Sequence, residues 1–406
     1  MNILFITPRL PLPADTGAKI RTYNLLKNTA KNNRVVLLSL VFEDNQEAIK
    51  KLKELGVEVY SIKGNGAINL KCLFAKRPLS IQKYHSSDLK NLLKEIISNN
   101  KFDLIHFDHL HMGQYIDAVN GTPCVLDEHN VESIILKRCA QVEKNFIKKL
   151  LFNWQARKMA QFESRVVRKF SRCLVVSEKD KENLLKLAEG KVRVEVIPNG
   201  VDTDYFSLTS LRVCELTSLR VCEFASCEEE DALVFTGSMD WLPNNDAVIY
   251  FCNEILPLIW QKNQAVKFYI VGKNPSEEIK RIAKKDSRII VTGDVSDVRP
   301  YIARAKVFVV PMRIGGGTRL KILEAMAMER AVISTSLGAE GINYTQDKNI
   351  IIQDPPGLFA ESIIMLLENQ EKRQELGREG RNLVKIQYDW SIIANKLQSI
   401  YQGILN

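Results

Sequence analysis

The sequence predicts an α/β protein of two successive domains, each a parallel sheet covered by helices, and three observations carry that prediction. The chain has 406 residues, more than one compact domain usually needs. Short runs with the character of buried strands alternate with helical stretches, and the alternation runs through twice. Late in the second pass a glycine-rich turn, Gly315-Gly316-Gly317-Thr318, separates a strand run from a helix. With 45% hydrophobic and 26% charged residues the composition is that of a globular protein, which excludes collagen-like and largely disordered classes.

The first pass opens with Asn2–Thr7 (NILFIT), a β-rich run followed by Pro8, Pro11, Pro13 and Gly17 and then by a helical pattern from Ile20 to Ala30. Arg34–Val41 reads as strand, Asn45–Leu55 as helix and Val57–Ile62 as strand. Asp103–Phe107 (DLIHF) and Pro123–Leu126 follow as strands, and Lys191–Pro198 closes this half. Strands separated by helices imply right-handed crossovers and hence a parallel sheet. The second pass has its strand candidates at 232–236, 266–271, 288–291, 307–310, 331–334 and 350–352, each ending in glycine, proline or a helical stretch. Two Rossmann-like domains are therefore expected, at 1–204 and 232–388. A linker at 205–231 and a closing amphipathic helix at 389–406, free to pack back on the first domain, complete the plan.

The linker contains LTSLRVCE twice in tandem, at Leu208–Glu215 and Leu216–Glu223. Eight residues is too short a period for a repeat architecture, so it reads as a tolerated loop insertion. The acidic run Glu228–Asp231 beyond it reads as solvated. Cys72, Cys124, Cys139, Cys173, Cys214, Cys222, Cys227 and Cys252 form no CxxC pair, and reduced thiols are expected. The longest apolar runs fall far short of a bilayer span, and Met1–Thr7 has no basic leader pattern, so a cytoplasmic location is expected.

Net charge is +9, and it is unevenly placed: residues 1–206 hold 33 basic and 23 acidic side chains, leaving 24 and 25 for the remainder. Lys137–Arg172 alone carries eleven basic residues against Glu143 and Glu163. Within it Phe146, Ile147, Leu150, Leu151, Trp154, Phe162, Val166 and Phe170 recur at roughly helical spacing. Two readings stay open: a basic amphipathic helix for an anionic membrane surface, peripheral on the inner face of the cell membrane, or the solvated face of an ordinary helix pair. No nucleic-acid-binding module accompanies the charge, so no nucleic-acid partner is expected.

The strongest chemical signal is Pro311–Ala327, PMRIGGGTRLKILEAMA. Glycines let a phosphate approach backbone N–H groups, and the helix N-terminus adds roughly half a positive charge. Arg319 and Lys321 supply the full charges for a departing diphosphate, and Glu324 is spaced to accept hydrogen bonds from a ribose. Val234–Gly237 (VFTG) and Ile270–Gly272 (IVG) are strand ends releasing into glycine, where α/β sheets place ligands. In Val196–Asp202 (VIPNGVD) the Asn199-Gly200 pair suits a turn with positive φ.

These segments, with NILFITPRLPLPADTGAKIR, VLDEHNVES, VIPNGVDTDYF, VTGDVSD, the extension of the glycine motif to Thr335, GAEG and YDW, resemble glycosyltransferase family 4 nearly end to end. The resemblance implies the GT-B fold, with two facing Rossmann-like domains and parallel sheets. It also implies a nucleotide sugar on the C-terminal domain, an acceptor on the N-terminal domain, and transfer in the cleft with retention of configuration. Gly237, Gly272, Gly315, Gly316, Gly317, Thr318 and Glu324 then bind the donor, while Arg319 and Lys321 stabilise the leaving diphosphate. Gly17, Arg21 and Asn199 fall on the acceptor side, Arg21 in reach of a phosphate. His109 and His129, after two strand candidates, are the catalytic histidines that orient the acceptor hydroxyl or the sugar.

The chain departs from the family at two places. Gly316 stands where a carboxylate commonly precedes Glu324 by eight residues, and Ser238–Asn245 follows Gly237 in place of a basic pair. Arg319 and Lys321 are expected to take over that charge. No metal or other cofactor is expected: His109-Leu110-His111 lacks a third ligand at a recognisable spacing, and the DxD at Asp202-Thr203-Asp204 belongs to its own turn. The expected function is transfer of a sugar from a nucleotide diphosphate to a hydroxyl of a saccharide or lipid-linked acceptor. A nucleotide-sugar epimerase of the same fold and a non-catalytic sugar-nucleotide binder are the alternatives.

Overall fold

The structure is a computed structural model that describes residues 1–43, 45–66, 75, 77–143, 145–211 and 229–406. The chain forms two units: Met1–Pro198 with Trp390–Asn406, and Asn199–Asp389.

The first unit is a seven-stranded sheet in the order β3-β2-β1-β4-β5-β6-β7, with every pairing parallel. Its strands are β1 Asn2–Thr7, β2 Arg34–Val41, β3 Val57–Lys63, β4 Leu104–Asp108, β5 Cys124–Glu128, β6 Arg172–Val175 and β7 Val194–Val196. The first to be joined out of sequence are β1 and β4, so the strand order reverses between them. Strands at the middle of such a sheet are covered on both faces, which explains why β1, β4 and β5 are near-continuous runs of buried residues rather than alternating ones. β6 was not anticipated: it emerges from the end of the basic segment, where Arg172-Cys173-Leu174-Val175 is short and opens on a charge. Ser86 and Ser177 cap the helices Ser87–Asn99 and Glu178–Leu187 by accepting from backbone N–H groups three residues on. The closing helix, Trp390–Leu405, packs on the helix Gly17–Ala30 and buries Trp390, Ile393, Leu397 and Tyr401.

The second unit is a six-stranded parallel sheet in the order β10-β9-β8-β11-β12-β13. The strands are β8 Glu230–Thr236, β9 Lys267–Val271, β10 Ile289–Gly293, β11 Ala305–Val310, β12 Ala331–Ser334 and β13 Ile351–Ile352. Both sheets thus have the doubly wound order, with the reversal between β8 and β11 here, and ligands in such sheets bind where the order reverses at the carboxyl ends of the strands.

Three expectations about the junction change. The units divide between Pro198 and Asn199 rather than after residue 204, because Val201 and Leu211 are buried in the core of the second unit. Leu208–Leu211 is therefore packed, while the rest of the duplicated octapeptide, with Cys214 and Cys222, lies outside the described residues, as do Cys72 and Cys227. The acidic run is not simply solvated: Glu229 pairs with Arg330 and Arg373, Glu230 with Lys267 and Arg304, and Asp231 with Lys306, so it ties the start of β8 to its neighbours. Cys124, Cys139, Cys173 and Cys252 are free thiols, all buried.

Candidate functional site

In the second unit the carboxyl ends of β8, β9 and β11 bring together most of the residues expected to bind a donor. β8 is followed by Gly237 and β9 by Gly272, with φ of 150° and 142°. The Gly237 N–H donates to the Val271 carbonyl at 2.9 Å, and a Cβ on Gly272 would lie 2.0 Å from the Gly237 carbonyl oxygen. Only glycine allows the two strand ends to approach in this way. A Cβ on Gly237 would meet Asn244 Nδ2 at 2.7 Å and Lys321 Nζ at 2.9 Å, so the bare backbone leaves the space that the amine fills.

Past β11 the chain turns through Gly315 and Gly317, both at positive φ, and enters the helix Leu320–Ala327. Arg319 stands at the N-cap and gives no side-chain cap bond; its guanidinium folds back to donate to the Gly316 carbonyl. Thr318 is buried, and its hydroxyl donates to the Gly341 carbonyl at 3.3 Å. The Lys321 amine donates to Asn244 Oδ1 at 2.9 Å and lies 3.6 Å from the centre of the Phe235 ring. Burial, then the Arg319 charge, push the Lys321 ammonium well below its ordinary range, and Glu324 only partly offsets them. Glu324, one helical turn on, is raised to about 7, chiefly by burial. A cation and a carboxyl on one face of a helix start, both short of strong counter-charges, form a site suited to a diphosphate and a hydroxylated ring.

Asn199 belongs to this unit and not to the acceptor side: its amide donates to the Thr318 carbonyl at 3.1 Å and braces the glycine loop. Asp202 accepts from the Tyr205 N–H at 2.8 Å, so the first carboxylate of the DxD holds its own turn. Asn244 and Phe235 were missed by the sequence reading. The stretch from Gly237 to Asn245 lacks the family's basic pair, and what it supplies instead is a neutral amide.

The first unit gathers a second polar cluster at the carboxyl ends of β1, β4 and β5. Arg21 is 1% exposed, and its guanidinium donates to both oxygens of Asp127 at 2.9 and 2.8 Å and to the Pro198 carbonyl at 3.0 Å. Its charge is thereby paired inside the unit, where it was expected to face an acceptor phosphate. Gly17 begins the helix that carries Arg21. His129 Nε2 lies 3.0 Å from Asp108 Oδ1, which the Thr22 hydroxyl also bonds at 3.1 Å, and 3.6 Å from Asp127 Oδ2. Burial works against charge on His129, but the two carboxylates outweigh it and raise its pKa to about 9. At neutral pH His129 is therefore an imidazolium and no proton acceptor.

His109 lies against it, ring centres 4.1 Å apart, with a φ of 73° that is rare for a non-glycine residue. Burial, then the charges of His129 and His111, hold His109 well below the usual imidazole range and so neutral. Of the two histidines singled out, His109 is the one whose surroundings favour the neutral ring. His106 stacks on Phe5 at 4.4 Å and shares a 2.7 Å hydrogen bond with Tyr401 of the closing helix. The set His106, Asp108 and Asp127 has ligand atoms within 4.8 Å of one another, a grouping of metal-ligand types that sequence spacing did not reveal. Arg21 already pairs with Asp127 and His129 with Asp108, so those carboxylate charges are matched within the protein.

The basic segment divides. In the helix Phe146–Val167, Phe146, Ile147, Leu150, Leu151 and Trp154 are exposed, at 71, 77, 53, 40 and 39%, whereas Phe162 and Val166, and Phe170 just beyond the helix, are core. Lys148 and Lys149 are exposed beside the apolar stripe, and Lys158 lies 4.5 Å over the Trp154 ring. Lys144 lies outside the described residues. No helix among the described residues is long and apolar enough to cross a membrane.

Residues 16–205 match the family model described as Glycosyltransferase Family 4, and residues 230–369 match Glycosyl transferases group 1. An uncharacterized 44.6 kDa protein in the cps region of Klebsiella pneumoniae is 24% identical over 407 residues, covering 96% of both chains. Phosphatidyl-myo-inositol mannosyltransferase of Mycobacterium tuberculosis is 25% identical over 217 residues, 51% of this chain and 53% of that one. Among solved structures, sucrose-phosphate synthase from Thermosynechococcus elongatus superposes with a TM-score of 0.74 at 15% identity, over 100% and 99% of the two chains. Anabaena Alr3699/HepE in complex with UDP and glucose gives 0.70 at 14%, over 99% and 100%. At these identities the structural likeness shows the fold.

Proposed function

Since the chain belongs to glycosyltransferase family 4 and is a nucleotide-sugar glycosyltransferase of glycan biosynthesis, we propose that it moves a hexosyl group, with retention and without a metal, to a lipid-linked or saccharide hydroxyl at a membrane surface. The observation that carries the reading is the Lys321 amine, buried beside Gly237 and held by the neutral Asn244 oxygen and the Phe235 ring. Such an amine has charge to give to a diphosphate. As the bond from the anomeric carbon to the diphosphate breaks, the negative charge that builds on the leaving group meets Lys321, Arg319 and the N–H groups at the start of the helix Leu320–Ala327. Glu324 accepts from ribose hydroxyls, and in that contact a nearby donor favours its carboxylate. His109, neutral and fixed by its strained backbone, accepts from the acceptor hydroxyl.

For the donor, the HepE complexes with UDP and with UDP-glucose support a uridine nucleotide, and the mannosyltransferase relatives, matched over about half their length, support a guanosine one. For the acceptor, the phosphatidyl-inositol relative supports a lipid and the cps-region relative a polysaccharide. The exposed stripe Phe146–Trp154 with its lysines supports docking on anionic lipid, basic residues near headgroups contributing about 1 kcal/mol each. Mass spectrometry of products from a panel of nucleotide sugars, with and without chelator, tests the reading. Transfer that survives chelator and vanishes in Lys321→Ala supports it; chelator-sensitive turnover removes the metal-free mechanism, and turnover of Lys321→Ala at the normal rate removes the assigned site.

A further inference from the structure

We propose that Arg9 and Lys83 form a subsite for a phosphoryl group carried by the acceptor; this rests on the reading above that a sugar is passed to an acceptor held by the first unit.

Arg9 follows β1, Phe42 follows β2, and His111 follows β4, so all three stand at the carboxyl ends of neighbouring strands, where the strand order reverses. Their side chains form one continuous run. The Arg9 guanidinium carbon lies 5.3 Å from the centre of the Phe42 ring, Phe42 meets Tyr84 edge-on at 6.0 Å, and Tyr84 meets His111 at 4.9 Å. The Lys83 ammonium lies 5.7 Å from the centre of the same Tyr84 ring. His111 is 5.1 Å from His109, the histidine with the strained backbone, so the run ends at the group assigned to the acceptor hydroxyl.

The charges along this run have one sign. Among the described residues neither Arg9 nor Lys83 has an ion-pair partner; each rests on an aromatic face instead. The Lys83 ammonium is shifted down by partial burial and then by Arg9, and no acidic group among the described residues offsets them. His111 feels His129 and Lys83, again both positive. Its side chain is buried, at 8% exposure, and its Nδ1 has no hydrogen-bond partner among the described residues. Cations without an ion-pair partner among the described residues, on an aromatic run that leads to a histidine with an unsatisfied ring nitrogen, suit an incoming anion, which lowers the repulsion between them. A guanidinium fork and an ammonium that feels its charge are groups that fit phosphoryl oxygens. Arg21, committed to Asp127, is not available for this role.

Two sources share that chemistry, a lipid phosphate and a soluble phosphate, and calorimetric titration of the full chain separates them. The chain is first saturated with whichever of UDP or GDP it binds, so that the second unit is occupied. Farnesyl phosphate, farnesol, glucose 1-phosphate and inorganic phosphate are then titrated. Farnesyl phosphate should bind about tenfold or more tightly than farnesol. The double variant Arg9→Gln, Lys83→Gln should lose that margin while its UDP or GDP affinity stays within about twofold, since Arg9 is exposed, Lys83 is half-buried and both belong to the first unit. Tighter binding of farnesyl phosphate than of the two soluble phosphates assigns a lipid source; equal binding assigns the phosphoryl group alone. Equal affinity for farnesyl phosphate and farnesol, or full binding by the double variant, overturns the subsite. Failure to bind either nucleotide overturns the glycosyltransfer reading instead.

Discussion

The amine of Lys321 and the amide oxygen of Asn244 are 2.9 Å apart, and the same amide donates through Nδ2 to the Ser238 carbonyl at 2.8 Å. A neutral residue therefore positions the cation of the glycine-loop site without cancelling it. Replacing Asn244 by Asp keeps the shape and pairs the amine with a carboxylate, so binding of the cognate nucleoside diphosphate should weaken about tenfold or more, with Asn244→Ala less affected. Calorimetric affinities decide it; equal affinities for wild type and Asn244→Asp would mean that Lys321 does not meet the diphosphate.

Gly272→Ala should be far more damaging than its size suggests. The added carbon would sit 2.0 Å from the Gly237 carbonyl oxygen, a backbone atom that cannot swing away, so the ends of β8 and β9 must separate. Nucleotide binding should fall below detection and the second unit should melt earlier, by several degrees. Gly357→Ala, where an added carbon meets nothing within 4 Å, is the control and should leave both unchanged.

Arg21→Gln should act on stability and not on acceptor affinity. It leaves the fully buried Asp127 without its bidentate partner, which costs about 3 to 5 kcal/mol. Differential calorimetry should show the first unit melting at lower temperature while the acceptor KM of the remaining folded enzyme is kept. A raised KM with unaltered melting would restore Arg21 to the acceptor site.

The stability of the first unit should peak near neutral pH. His129 has its pKa raised to about 9 in the folded state, so its contribution is full below about 6.5 and is lost as pH climbs through 9, about 3 kcal/mol in all. His106 is lowered to about 4 by burial, so its contribution is full above about 6.5 and is lost as pH falls through 4, again about 3 kcal/mol. In melting temperatures taken across this range, His129→Gln should flatten the alkaline limb and leave the acid one. An unaltered alkaline limb would show that the Asp108–His129 pair does not hold the proton.

Changing Phe146, Leu150 and Trp154 together to Ser should abolish co-flotation with anionic liposomes, and high salt should weaken flotation of the unchanged chain. Their exposure means that the substitutions should not lower thermal stability. Flotation of the triple variant at wild-type level would assign the stripe to another partner.

The two sheets could be read from the sequence because their central strands, buried on both faces, leave continuous apolar runs, and twelve of the thirteen strands fall where the sequence reads strand. β6 did not, being four residues long and opening on Arg172. The glycine loop, Lys321 and Glu324 were legible for a similar reason: a helix start and its first turns are local, so spacing along the chain is spacing in the site. Their neutral partner, Asn244, is 77 residues from Lys321, and no spacing rule connects the two.

What the sequence by itself determined is the part of this protein that depends on near neighbours: the alternation, the two parallel sheets and the glycine-rich loop at the start of a helix. Only the tertiary structure decided which charges are spent and which remain. Arg21 lies 106 residues from the carboxylate that claims it, and Arg9 and Lys83, far apart in sequence, share one aromatic run with no ion-pair partner among the described residues. The physical reason is that a charge is available to a ligand only where folding has not already brought a counter-charge to it, and such meetings are made by chain segments far apart in sequence.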